Sequence, residues 1–220
     1  MPRKSRLTAP STVYHVTIRC NNKEHLMRTR KDLESFVCVT AHYKKKHAFK
    51  LFGYCIMNSH AHLVIQTPGN EEKTISAIMH DINSLYARDY NTRHGRTGHV
   101  WGERFKSPIV ESDVHGVALL RYIAQNPVRA KMVKHAREWE FSSFHAYEQG
   151  EPNIFVDLMP SFLGLARSPK RAAELFVALV EGEVVKQDDC WTRTYALGSE
   201  QFVKKLLGQL HDPLAAGPPG

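Results

Sequence analysis

The peptide His60-Ala61-His62-Leu63-Val64-Ile65-Gln66 carries more chemical content than any other in the chain. Its apolar, β-branched composition reads as a strand, in which side chains two apart share a face. His60 and His62 therefore project together with Gln66, while Ala61, Leu63 and Ile65 turn the other way to pack. Two imidazoles whose Cα atoms lie roughly 6–7 Å apart can converge on one divalent ion. A neutral imidazole suits Mn²⁺ or Zn²⁺, whereas Mg²⁺ leans on water and phosphate oxygens. The same spacing also suits two exposed or hydrogen-bonded histidines in a chain with thirteen of them.

A second feature bears on the choice. Residues 113–126 read as a helix, and at about 100° per residue Val117, Leu120 and Ala124 form its buried stripe. Tyr122, Asn126 and His115 then fall on the opposite side, within roughly 40° of one another. A phenol and a carboxamide thus project together, away from the packing face, although an ordinary surface tyrosine fits the same pattern. Helix phase also makes His115 a candidate proton relay for the phenol, or an exposed histidine. Between strand and helix, Arg93, Arg96, Arg104 and Lys106 are interleaved with Trp101 and Phe105. That mixture suits a surface that grips phosphates and stacks bases. A solvated loop with its aromatics in the core is the alternative.

The elements that must position these groups follow from periodicity. Residues 12–19 read as a strand and 30–47 as a helix ending in Lys44-Lys45-Lys46-His47, which suits the negative end of its dipole. Strands at 49–57 and 61–67 form an antiparallel hairpin through Asn58-Ser59-His60. A helix over 74–90, a loop over 92–98 and a short strand over 106–111 come next. Ser112 or Asp113 can cap the tyrosine-bearing helix, which stops at Asn126-Pro127. The fold class is α+β: a ferredoxin-like, split βαβ antiparallel sheet with helices on one face and the tyrosine helix appended. The other face stays available for a site. Residues 1–150 make the main domain. Residues 151–210 are a small, mainly helical extension with helices at 171–180 and 199–207, and 211–220 a disordered tail.

Composition narrows the function classes. A net charge of +8 and a pI near 9.4 favour a polyanionic partner, of which nucleic acid is the commonest. No apolar run approaches the roughly 18–20 residues of a membrane span. The basic start Met1-Pro2-Arg3-Lys4 leads into no apolar core, so a cytoplasmic location and no membrane partner are expected. Cys20, Cys38, Cys55 and Cys190 are scattered, which speaks for buried free thiols rather than a zinc knuckle or disulfide framework.

Taken together these residues resemble the single-tyrosine transposases of the HUH nuclease superfamily, and within it the REP-associated tyrosine transposases. The matching stretches are Tyr14-His15-Val16-Thr17-Ile18-Arg19-Cys20-Asn21-Asn22, His60-Ala61-His62-Leu63, Trp101 with Arg104-Phe105-Lys106, and Tyr122-Ile123-Ala124-Gln125-Asn126-Pro127-Val128-Arg129-Ala130. Trp139-Glu140-Phe141-Ser142-Ser143-Phe144 and Leu197-Gly198-Ser199-Glu200-Gln201-Phe202-Val203 extend the likeness, so that it spans roughly residues 10–208. Two departures touch loop geometry: Asn58-Ser59 stands where the family has Pro-Asn, and Ala61 where it has a bulkier aliphatic residue.

The resemblance implies a divalent ion, Mg²⁺ or Mn²⁺, held by His60, His62 and Asn126, with Gln125 a weaker third ligand. It implies attack by Tyr122 on a phosphodiester of single-stranded or hairpin DNA, leaving a 5′-phosphotyrosine link and a free 3′-hydroxyl. Arg19, Arg93, Arg96, Trp101, Arg104, Lys106 and Arg129 become candidate DNA contacts. No small-molecule substrate is implied. Oligomeric state stays open between a monomer and a homodimer that exchanges the tyrosine helix. Two rival readings remain: a domesticated hairpin DNA- or RNA-binding protein that no longer cuts, and a metal-dependent hydrolase using activated water.

Overall fold

Alternating apolar residues and tight turns build the sheet, seen here in a computed structural model that describes residues 8–184 and 196–211. Strand β1 (Val13–Arg19) is followed by helix α1 (Arg30–His47) and by the hairpin of β2 (Lys50–Ile56) and β3 (His60–Gln66). Then come α2 (Ile75–Arg93), β4 (Ile109–Val110), α3 (Ser112–Ala124) and a single turn, α4 (Asn126–Arg129). The extension holds α5 (Phe144–Gln149), α6 (Pro160–Leu163), α7 (Pro169–Glu181), β5 (Ala196–Leu197) and α8 (Glu200–His211). The sheet order is β2-β3-β1-β4-β5. Its first four strands pair antiparallel, giving the expected split βαβ core. The fifth pairs parallel to β4 and makes the sheet mixed. That strand was not legible: two residues are too few to show a period.

The two sheet faces can be told apart by register. Cys20 stands opposite Trp101 across an antiparallel bridge, so the two share a face. The Trp101 ring packs at 5.9 Å from Phe36 of α1 and 5.3 Å from Tyr86 of α2. Helices α1 and α2 therefore cover the face that carries Tyr14, Val16, Ile18, Leu63 and Ile65, all buried. Each such side chain contributes about 1.5–3 kcal/mol by leaving water. Thr29 caps α1 in a capping box with Asp32, and Thr74 caps α2.

The second face is covered too, contrary to the expectation of an open one. Helix α3 lies across it, so close that a Cβ on Gly53 of β2 would sit 2.9 Å from Leu120 Cδ2. One turn earlier on the same flank, a Cβ on Gly116 would sit 2.5 Å from Met159 Sδ. Arg121 and Gln125 donate to carbonyls at Glu183 and Val180, just after and at the end of α7. α3 is thus sandwiched between sheet and extension, and Leu119, Leu120, Tyr122, Ile123 and Ala124 are all buried. Leu120 and Ala124 are buried as the stripe predicts and Val117 is half-buried, but burial extends beyond a single stripe because it comes from two sides.

Other local expectations also shift. The N-cap of α3 is Glu111, not Ser112 or Asp113, and its carboxylate accepts from Ser199 N and Oγ instead of from the helix. Asn126-Pro127 does not end the helical path: Pro127 sits in the first turn of α4, where a missing N–H costs nothing. Of the cysteines, Cys20 and Cys55 are buried, but Cys38 is exposed on α1. Cys190 and the tail at 212–220 lie outside the described residues. Among the described residues no helix is long and apolar enough to cross a membrane.

Candidate active site

His60 and His62 leave β3 on the face that α3 covers, with Arg19 and Thr17 of β1 directly opposite them. The two imidazole centroids are 5.1 Å apart. His62 is buried, and its Nδ1 lies 3.0 Å from Nε2 of His15 and 3.3 Å from Thr17 Oγ1. His60 Nδ1 is 3.1 Å from Ser59 Oγ. The Tyr122 ring of α3 stands edge-on to both buried histidines, 6.0 Å from His62 and 6.1 Å from His15. One chain therefore supplies both the imidazole pair and the phenol.

Asn126, one turn on from Tyr122, and Arg129, two turns on, complete the group. Arg129 Nη2 donates to Asn126 Oδ1 at 2.7 Å and to Tyr122 O at 2.9 Å, and its guanidinium lies 4.1 Å from the centre of the Tyr122 ring. A cleft of about 210 Å³ opens beside them, lined by Arg19, Lys23, Met57, Ser59, His60, Asn126, Arg129 and Ala130. Its charged walls are all cationic, which suits a phosphate.

Burial, reinforced by Arg19, His25 and Arg129, pushes the His60 imidazole down to about 4. Burial and the neighbouring His60 and His15 push His62 well below its usual value. Both rings are therefore neutral near pH 7, the form a metal ion takes. Two imidazoles and a carboxamide oxygen suit a first-row transition ion, Mn²⁺ included, better than Mg²⁺, which leans on water and phosphate oxygens. Among the described residues no three His, Cys, Asp or Glu side chains gather for a metal. The amide of Asn126, which lines the cleft together with His60, is the further oxygen donor on that wall.

The His60 shift sets a pH dependence. The unfolded chain takes up a proton at this ring near pH 6.5, whereas the folded one resists until about 4. More protons bind to the unfolded state in that window, so stability must fall as pH drops through it. The melting temperature of the metal-free protein should decline from pH 6.5 to 4, and His60→Asn should flatten the decline. An unchanged slope in the variant would dissociate His60 from the effect.

Several expected site residues lie elsewhere. Gln125 turns its amide to the α7 carbonyl of Val180 at 2.8 Å, away from the imidazoles. His115 lies seven residues, or roughly 10 Å along the helix axis, from Tyr122, too far to take its proton directly. Trp101 donates to Asn83 O and packs in the core, as the alternative reading had it. Arg96 lies 3.8 Å from Glu24 and faces the Tyr90 ring, and Arg104 is exposed on the loop before β4. Lys106 bridges opposite Thr17, on the face of His62. His15 and Lys23 were missed. His15 sits amid apolar strand residues, and Lys23 lies in what reads only as a turn.

Arg93 holds the buried Asp32 carboxylate at 2.6 Å and Asp89 at 2.8 Å. Burial alone would raise the Asp32 carboxyl, but hydrogen bonds from Arg93, His94 and Thr29 more than offset this and bring it down to about 2. Removing one partner of a buried ion pair is strongly destabilising. Asp32→Ala should cost about 3 kcal/mol by denaturant unfolding. Arg93→Ala should lower stability and leave the salt slope of DNA binding unchanged; a reduced slope would restore Arg93 as a phosphate contact.

Comparison with known proteins locates this arrangement. The family described as IS200-like transposase matches residues 8–126, more than half of the chain and inclusive of both strand histidines, Tyr122 and Asn126. The chain belongs to the IS200-like transposase family. A Haemophilus influenzae protein described as a REP-associated tyrosine transposase is 27% identical over 108 residues. That match covers 45% of this chain and 61% of the relative, so less than two thirds of the relative's length is spanned. A solved structure of a REP-associated tyrosine transposase bound to a REP hairpin superposes with a TM-score of 0.58 at 19% identity. It covers 71% of this chain and 92% of that one, a likeness of fold. The matched span holds the histidine pair, Tyr122 and most of the cleft lining, with Arg129 and Ala130 just beyond it.

Proposed function

We propose that this family member is a metal-dependent tyrosine nuclease and strand transferase acting on single-stranded or hairpin DNA. The observation that carries the reading is the Tyr122 ring standing 6.0 Å from His62 within one chain. His60, His62 and the Asn126 amide would hold a divalent ion, Mn²⁺ or Mg²⁺. The ion would supply Lewis-acid polarisation of the scissile phosphodiester. Arg19 and Lys23 draw the phosphate into the cleft. The Tyr122 oxygen forms a bond to phosphorus as the bond from phosphorus to the 3′-oxygen breaks. The proton lost by the phenol is balanced by the one the departing 3′-oxygen takes up. Because the phosphotyrosine keeps the diester energy, a new 3′-hydroxyl can reverse the step and join strands. Hairpin DNA as partner is supported by the solved relative's hairpin complex.

Tyr122 is only 2% exposed and lies under the Arg129 guanidinium. An incoming phosphate is the group that draws a guanidinium off a ring, because a charge-assisted pair outweighs a cation–π contact of about 0.5–2 kcal/mol. Arg129→Ala should therefore weaken DNA binding modestly and loosen Asn126, lowering cleavage by about tenfold. Cleavage at the wild-type rate would remove Arg129 from this role.

The test of the whole reading uses oligonucleotides from around the gene, labelled at the 3′ end, with Mn²⁺ or Mg²⁺. A label that migrates with the protein on a denaturing gel supports it. Cleaved DNA with no adduct favours the water-using hydrolase, and bound, intact DNA the non-cleaving binder.

A further inference from the structure

His15 is fully buried at the centre of β1, between Tyr14 and Val16. A polar ring at such a position costs about 1–3 kcal/mol unless it is hydrogen-bonded. Its Nε2 meets Nδ1 of His62 at 3.0 Å, with the rings stacked at 5.2 Å and 16°. The reaction described above uses no group on His15. We infer that His15 is a positioning residue that fixes the tautomer of His62 by accepting its Nδ1 proton, so that Nε2 keeps a lone pair for the metal. This rests on the reading of His60 and His62 as metal ligands.

One proton between two nitrogens decides which atom of His62 can ligate. If His15 donates, Nδ1 of His62 accepts, and the neutral ring must carry its proton on Nε2, which then cannot ligate. If His15 accepts, the His62 proton sits on Nδ1 and Nε2 is a donor to metal. Thr17 Oγ1, 3.3 Å from the same Nδ1, offers a second acceptor on the same side. A ligating imidazole regularly gives its other N–H to such an outer partner, and losing that partner lowers metal affinity. An imidazole takes here the place that a carboxylate or carbonyl holds elsewhere. The register of β1 against β3 produces the contact, since His15 pairs with Val64 and Thr17 with His62 on one face.

The test is Mn²⁺ titration of the full chain by electron paramagnetic resonance, together with ¹⁵N–¹H spectra of histidine-labelled protein, which report the tautomer. His15→Phe keeps a stacked ring but offers no acceptor. It should weaken Mn²⁺ binding about 10–100-fold. His15→Gln, whose carboxamide oxygen reaches the place of Nε2, should recover most of that loss. His62 should carry its proton on Nδ1 in the wild type and in His15→Gln. A His62 proton on Nε2 in the wild type overturns the inference, even if His15→Phe fails to fold. Mn²⁺ binding by His15→Phe within about twofold of wild type, while His62→Ala loses it, overturns the inference alone. Absence of Mn²⁺ binding by the wild type, with and without oligonucleotide, sinks the metal reading and this inference with it.

Discussion

Tyr122→Phe should abolish the covalent protein–DNA adduct and lower strand cleavage by at least about 10³-fold, while DNA binding stays near wild type. The substitution removes one oxygen and leaves the ring. The edge-on contacts to His15 and His62 and the face offered to Arg129 are contacts of the ring, and Phe retains them. Stability should therefore change by about 1 kcal/mol or less. Arg19 and Lys23, which line the cleft, are untouched, so phosphate affinity and its salt dependence should persist. A loss of cleavage accompanied by unchanged binding isolates the nucleophile. Residual adduct in Tyr122→Phe would move the nucleophile to another residue.

His60→Ala should reduce Mn²⁺ affinity by more than the 10–100-fold that an outer partner costs, and cleavage by about 10³-fold, as befits several kcal/mol of Lewis-acid stabilisation. His60 is the better target of the pair: it is half-buried at the cleft, whereas removing His62 also takes away the contact to His15 Nε2. Excess Mn²⁺ should restore part of the His60→Ala activity by mass action and none of the Tyr122→Phe activity. This contrast separates a ligand from a nucleophile. If excess metal rescues neither variant and Mn²⁺ affinity is unchanged in His60→Ala, His60 is not a ligand.

The parts of the site that were legible in sequence are those fixed by local period. Alternation along β3 puts His60 and His62 on one face, and helical phase sets Tyr122 and Asn126 one turn apart. What lay hidden depends on partners far along the chain. His15 meets His62 only because β1 and β3 pair in one register, 47 residues apart. Arg93 and Trp101 looked like a nucleic-acid surface, but Asp32, Phe36 and Tyr86 of α1 and α2 claim them. A basic residue beside an aromatic one reads alike on a surface and at a core edge.

The same limit explains the tyrosine helix. Its sequence was expected to bury one stripe and to display Tyr122 on the other side. The sheet itself takes that other side, where Tyr122 meets His15 and His62, while the extension covers further flanks through Met159 near Gly116 and through the Gln125–Val180 bond. Tyr122 thus lies against the sheet, buried beside the histidines, and the cleft at Arg19, Lys23 and Arg129 opens next to His60 and Asn126. The extension thus braces the tyrosine helix within the same chain.

Peptide mapping by mass spectrometry of the trapped protein–DNA adduct tests the central claim most directly. After nuclease digestion and proteolysis, a 5′-phosphonucleotide should sit on the peptide that contains Tyr122, and its yield should require a divalent ion. A modification on a different tyrosine, or complete cleavage that leaves every tyrosine unmodified, would contradict it.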